Sequence, residues 1–159
     1  MERYRKTVET GQLLEEYREL LQRTKTLPLQ VTGRSMTPFL IPGRDSVTLT
    51  ALQASPKRGD IILYQRENGS YVLHRVVACQ RDGRYTMLGD GQQQREKDIR
   101  REQMFAKVCA VHRKGKLLKP GCFWWEFFEK IWSLIVPLRP LCLRLYGIIT
   151  GLGRKGSHV

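Results

Sequence analysis

Ser35, within Gly33-Arg34-Ser35-Met36-Thr37-Pro38, and His74, within Tyr71-Val72-Leu73-His74-Arg75-Val76-Val77, are the two side chains best suited to do chemistry together. A serine hydroxyl attacks a carbonyl only when a base removes its proton, and imidazole, titrating near pH ~6.5, suits that role. Each also has a plain structural explanation. Serine beside glycine and proline is commonly a turn or cap residue, and histidine among valines is commonly a strand residue. The surroundings of both residues favour the nucleophile and base over these explanations.

From Val31 to Val111 the chain carries, in order, G-x-S-M-x-P as Gly33 to Pro38, then Asp45-Ser46-Val47, Lys57-Arg58-Gly59-Asp60-Ile61-Ile62, His74-Arg75-Val76-Val77, Gly89-Asp90-Gly91 and the run Phe105 to Val111. Each piece alone is a weak signal. Together, over about half the chain, they resemble the catalytic core shared by type I signal peptidases and the self-cleaving LexA-like repressors. That family divides by its general base: most bacterial signal peptidases and the repressors use lysine, whereas the endoplasmic-reticulum and sporulation-associated branch carries histidine in H-R-V. With His74 in that place, the chain resembles the histidine branch. A lysine base must lose about three pH units of basicity through burial, while a histidine needs almost no tuning.

The resemblance implies a serine endopeptidase with Ser35 as nucleophile, His74 as base and no metal or cofactor. Gly33, Arg34, Met36 and Pro38 then form the oxyanion and substrate-binding turn. Gly33 lets the backbone approach a peptide, the Ser35 amide donates to the oxyanion, Met36 lines the pocket floor and Pro38 directs the chain out of the turn. Some relatives place a serine hydroxyl, a second oxyanion donor, where Gly33 stands; here a backbone N–H must replace it. A histidine base gains orientation from a carboxylate that accepts its other N–H. In the histidine branch a G-D motif precedes a second acidic residue by a few positions. Asp90 matches the motif, Glu96 has the right spacing from it, and Asp98 preserves the usual residue type. Asp90 and Glu96 rank together ahead of Asp98, with Asp90 either the orienting acid or the residue that ties the loop. The loop from Gln92 to Asp98 departs from the family's asparagine-rich version, and Asp60 reads as a turn acid. The implied substrates are leader or signal segments with small residues before the cleaved bond.

These residues need a β-domain to position them. From Leu29 onward apolar residues recur with period two, as in Val47-Leu49-Ala51, Ile61-Leu63 and Val72-His74-Val76. Pro42-Gly43-Arg44-Asp45, Asn68-Gly69 and Asp82-Gly83-Arg84 separate the runs, and the last two are hairpin signals. The expected fold is mainly β, a coiled antiparallel domain, which the resemblance makes one of the signal peptidase/LexA-like type. An amphipathic helix over residues 7–25, with Leu13, Leu14, Tyr17, Leu20 and Leu21 on one face, is expected to pack on it. The expected divisions are an N-terminal helix at 1–27, a peptidase domain at 28–120, an aromatic-rich, membrane-associated helical hairpin at 121–151, and a tail at 152–159.

All three tryptophans fall at 121–151, where Glu126, Lys130 and Ser133 define a narrow polar face. Pro137, Pro140, Arg139 and Arg144 argue against an uninterrupted spanning helix, since a central arginine costs about 2.5 kcal/mol or more in a bilayer. Two arrangements fit: a membrane-surface or re-entrant hairpin of two short helices, which the aromatic content favours, and a two-helix cap buried on the β-domain. The net charge of +13, from 28 basic and 15 acidic residues, suits anionic lipid or nucleic acid. The basic run Arg113-Lys114-Gly115-Lys116 just ahead of the apolar segment favours lipid. The expected partners are a peptide or protein substrate and membrane lipid, without nucleic acid; the side of the membrane stays open. Four scattered cysteines argue against a zinc or redox motif and read as small buried hydrophobes, with Cys79 and Cys109 on strands that could be neighbours. Two rival functions remain. A LexA-like self-cleaving regulator needs a helix-turn-helix and a cleavable linker, which residues 1–30 do not offer. A non-catalytic peptide- or lipid-binding module on the same fold is compatible with the altered acidic loop.

Overall fold

A computed structural model of the chain describes Glu16, residues 19–21 and residues 23–150. Eight strands form one antiparallel sheet: β1 (Thr26–Gln30), β2 (Ser46–Ala51), β3 (Ile61–Gln65), β4 (Tyr71–Cys79), β5 (Tyr85–Leu88), β6 (Glu96–Ile99), β7 (Met104–Arg113) and β8 (Lys116–Leu118). Their order is β1-β2-β7-β3-β4-β5-β6, with β8 paired to β7 beyond the end of β3. The molecule is mainly antiparallel β with helices at its C-terminal end.

Turn chemistry explains the hairpins. At Asn68-Gly69 the Arg66 amide donates to Ser70 at 2.8 Å, and this closure sets the β3/β4 register that places Ile62 opposite His74 and Tyr64 opposite Val72. Lys114 and Gly115 both have positive φ, 49° and 73°, so the basic run between β7 and β8 is a tight two-residue turn.

The expected alternation holds along β2, where Val47 and Leu49 are buried and their neighbours are partly exposed. It fails along β3, whose first four residues are all buried because the strand separates two cores. Ile61 and Leu63 join Met36, Phe39, Leu49, Val108 and the aromatic residues of the C-terminal segment in the larger core. Ile62 and Tyr64 join Val76, Tyr85, Met87 and Met104 in the smaller. Leu21, from the helical residues before β1, is 3% exposed and belongs to the larger core. Of the helix expected at 7–25, residues 7–15, 17, 18 and 22 lie outside the described residues, as does the expected tail at 152–159.

The cysteine reading needs correction. All four cysteines are free thiols; Cys79 is exposed and the other three are half-buried, so none is a core hydrophobe. Cys79 and Cys109 are not neighbours, because β3 runs between β4 and β7.

The C-terminal segment contains α1 (Phe123–Glu126), which widens into a π-helix at Phe127–Trp132, then a 3-10 turn at Val136–Leu138 and α2 (Arg139–Thr150). Trp125, Phe128 and Trp132 pack into the larger core, with Phe39 edge-on to Trp125 at 5.9 Å and beside Phe128 at 4.9 Å. Much of the rest faces outward: Phe123, Leu134, Leu141, Leu145, Ile148 and Ile149 are exposed. Arg139, which in the sequence reads as an obstacle to membrane insertion, is 1% exposed and buried in protein. Among the described residues no single helix is long and apolar enough to cross a membrane; the pair Phe123–Trp132 and Val136–Ile149, bent by 98°, meets that test only jointly.

Candidate active site

His74 lies on β4 with its side chain in the smaller core, and it is fully buried. The register explains what it meets. Ile62 is opposite His74, Tyr64 is opposite Val72, Val76 is opposite Met87, and Met87 is opposite Glu96. Residues paired across strands share a face, so Tyr64, His74 and Glu96 project from three strands toward one point.

There the Tyr64 hydroxyl lies 3.0 Å from His74 Nδ1 and donates to Glu96 Oε2 at 2.7 Å. A phenol has one proton. Because that proton goes to the carboxylate, the phenol oxygen accepts from Nδ1–H. Glu96 Oε1 is 3.4 Å from the same nitrogen. Neutral His74 is thereby held as the tautomer with its proton on Nδ1 and a lone pair on Nε2. Nε2 is buried and has no hydrogen-bond partner among the described residues. This is the tautomer a general base requires.

Electrostatics hold these protonation states. Burial pulls the His74 imidazole down from 6.5 to about 4; Glu96 and Asp90 oppose the shift and Arg66 adds to it. At neutral pH the ring is uncharged, so its contact with Glu96 is not an ion pair. Burial alone would raise the Glu96 carboxyl, but hydrogen bonds from Arg66 and Tyr64 more than offset it and hold the group below its usual value. Arg66 Nε donates to Glu96 Oε2 at 2.9 Å, and its Nη2 donates to Oε1. Burial, together with the charge on Glu96, pushes the Tyr64 phenol well above its usual range, so it stays protonated.

The three acids separate cleanly. Glu96 faces the histidine. Asp90 is fully buried and forms a two-pronged pair with Arg75, 3.0 Å to Nε and 2.8 Å to Nη2, so it ties the loop. Asp98 is exposed on β6, 3.4 Å from Arg84. Asp60 accepts from the Lys57 amide at 2.9 Å as a turn acid.

The serine reaches this region through the Gly89-Asp90-Gly91 loop. Leu88, at the end of β5, pairs with Arg75, the residue after His74. The next residues pass under the serine turn, where the Gly91 amide donates to the Ser35 carbonyl at 2.8 Å. A Cβ on Gly91 would meet the Thr37 carbonyl oxygen at 2.7 Å, and one on Gly89 would fall closer still to that of Ser35. Both glycines are therefore required by close backbone approach. Arg75 also donates to the Gly59 carbonyl at 2.9 Å and stacks 5.4 Å from the Phe39 ring centre. One arginine thus joins the pieces G-D-I-I, G-D-G and the serine turn.

Ser35 is half-buried and anchored through its carbonyl; its amide and hydroxyl make no hydrogen bond among the described residues. No Ser35–His74 hydrogen bond is formed. Gly33 and Arg34 are exposed beside the serine. The expected role of Met36 needs correction: it is 2% exposed and packed in the larger core, because the turn directs it inward with Phe39 and Leu40. Pro38 is buried and follows a cis peptide bond.

No family model matches the chain, and no curated protein does. Among the described residues no cluster of three or more His, Cys, Asp or Glu could hold a metal ion.

Sequence reading missed four supporting residues. Tyr64 was within reach by counting back from the Asn68-Gly69 turn, since that register sets it diagonal to His74. Arg66, Trp132 and Arg139 carried no local signal. The Trp132 indole donates to the Asp90 carbonyl at 2.6 Å, and Arg139 Nη1 donates to the carbonyls of Gly89 at 2.9 Å and Gln92 at 2.8 Å.

Proposed function

We propose that this chain is a membrane-associated serine endopeptidase of the signal peptidase/LexA-like type, histidine branch, that removes leader or signal segments through an acyl-enzyme. The observation that carries the reading is the oriented imidazole of His74. Its Nδ1–H is committed to Tyr64 and Glu96, and Nε2 is left as an unpartnered base.

In the proposed reaction His74 Nε2 takes the Ser35 Oγ proton as that oxygen bonds to the scissile carbonyl carbon. The oxyanion is met by the free Ser35 amide. The C–N bond breaks as His74 returns the proton to the leaving amine; the same nitrogen then deprotonates a water that bonds to the acyl carbon, and gives that proton to Ser35 Oγ as the ester C–O bond breaks. Glu96, acting through Tyr64, holds the tautomer and stabilises the transient imidazolium. The outward apolar residues of α2, with the net charge of +13, support residence at an anionic membrane surface.

The test compares wild type with Ser35→Ala on peptides bearing Ala-x-Ala leader sites, in liposomes, with new termini read by mass spectrometry. Cleavage by wild type that disappears in Ser35→Ala is expected. A non-catalytic binding module is the second reading, favoured by the missing Ser35–His74 hydrogen bond; peptide capture without cleavage by either protein would establish it.

A further inference from the structure

Between the β7/β8 hairpin and the C-terminal helices lies a cleft of about 490 Å³, within the range of small-ligand sites. Its walls include Leu118, Phe127, Phe128, Trp132 and Cys142. Three cations, Arg113, Lys114 and Lys116, also line it, and no acidic side chain does among the described residues.

Arg113 is the informative member. Its Nη2 reaches the Pro38 carbonyl at 3.3 Å and its guanidinium sits 5.4 Å from the Trp124 ring centre, while Nε is buried with no hydrogen-bond partner among the described residues. Of the groups that act on it electrostatically, Arg44, Asp45 and Tyr146, the one carboxylate, Asp45, is already engaged by two bonds from Arg44 and one from the Ile41 amide. A half-buried guanidinium with an unmet donor in an apolar cleft favours an anion. The walls, in turn, favour hydrocarbon. Inorganic phosphate satisfies only the cations, and a neutral hydrocarbon leaves Nε unmet.

We propose that this cleft binds an anionic amphiphile, its alkyl chain against Phe127, Trp132 and Cys142 and its phosphate or carboxylate head on Arg113, Lys114 and Lys116. The site is distinct from the outward face of α2 and independent of the peptidase reading. The amphiphile is either a bilayer phospholipid or a free single-chain lipid.

The test titrates the full chain with dodecyl phosphate below its micellar concentration, following tryptophan fluorescence, with dodecyl maltoside and inorganic phosphate as controls. One saturable site for dodecyl phosphate is expected, at least tenfold weaker in Arg113→Gln and in the surface double variant Lys114→Gln/Lys116→Gln, and lost when Cys142→Trp fills the cleft. The outer-face variant Leu145→Ser/Ile149→Ser should bind as wild type does. Flotation with phosphatidylglycerol vesicles separates the sources: retention weakened by the cleft variants assigns a bilayer lipid, and retention unaffected by them assigns a free amphiphile. Equal binding of dodecyl maltoside or inorganic phosphate, or dodecyl phosphate binding unchanged in both Lys114→Gln/Lys116→Gln and Cys142→Trp, overturns the proposal.

Discussion

Arg139 holds the carbonyl of Gly89 at 2.9 Å, across 50 positions of sequence, and so ties the C-terminal helical segment to the loop that supports Ser35. The same guanidinium donates to the Trp132 carbonyl at 3.1 Å, and the Trp132 indole donates to Asp90. The inner side of that segment is therefore a buttress for the Gly89-Asp90-Gly91 loop under the Ser35 turn, whatever its outer side touches.

Removing that buttress tests its weight. Arg139→Leu removes a charged donor from the carbonyls of Gly89, Gln92 and Trp132, leaving Gly89 with the Gln92 amide at 3.0 Å, and a loss of about 3 kcal/mol is expected. Chemical denaturation measures it. Amide exchange at Gly91, which donates to Ser35, should quicken by more than exchange in β2.

Glu96→Gln and Asp90→Asn should fail in different ways. Glu96→Gln disturbs the tautomer of His74 while leaving the core packed, so peptide cleavage should fall by about 10³ with little change in melting temperature. Asp90→Asn strips Arg75 of its counter-charge in the interior and should cost about 3 to 5 kcal/mol. Parallel kinetics and melting curves on the two variants check the division of roles. If Asp90→Asn folds normally and loses only activity, the roles assigned to Glu96 and Asp90 are exchanged.

Protonation of His74 sets an acid limit on stability. Between its ordinary 6.5 and about 4, the unfolded chain binds a proton that the folded chain refuses. The unfolded state binds more protons there, so stability is full above pH 6.5 and declines as pH falls, by about 3 kcal/mol near pH 4. Denaturation midpoints across pH 7 to 4 should show this decline, and His74→Phe should flatten it. Titration of the His74 ring by NMR should give a midpoint near 4 and place the proton on Nδ1 at neutral pH.

The outer face of α2 should govern membrane residence without governing the fold. Leu145→Ser/Ile148→Ser/Ile149→Ser alters exposed side chains, so each change should cost within about 0.5 kcal/mol. Retention on phosphatidylglycerol vesicles should fall at least tenfold in a flotation assay. Unchanged retention would rule out this face as the anchor.

Sequence patterns alone were enough to identify the Ser35 turn, the His74 strand, the mainly β architecture and the hairpins at Asn68-Gly69 and Asp82-Gly83. Each depends on interactions within a few residues or on a period of two, which survive in a linear text. Which acid faces His74 did not survive, because Glu96 and Asp90, only six residues apart, meet entirely different partners. Pairing across β4, β5 and β6 turns Glu96 toward His74, while Arg75 captures Asp90. Met36 went inward for a similar reason: the turn's exit, not its residue type, decides which face it joins. The C-terminal segment shows the limit most sharply. Its composition fits both a membrane hairpin, which the aromatic content favours, and a buried cap, and only packing separates an inner face built on Trp125, Phe128, Trp132 and Arg139 from an outer face of exposed leucines and isoleucines. Burial of an arginine is decided by the carbonyls it meets, and two of the three that Arg139 meets come from residues about fifty positions away.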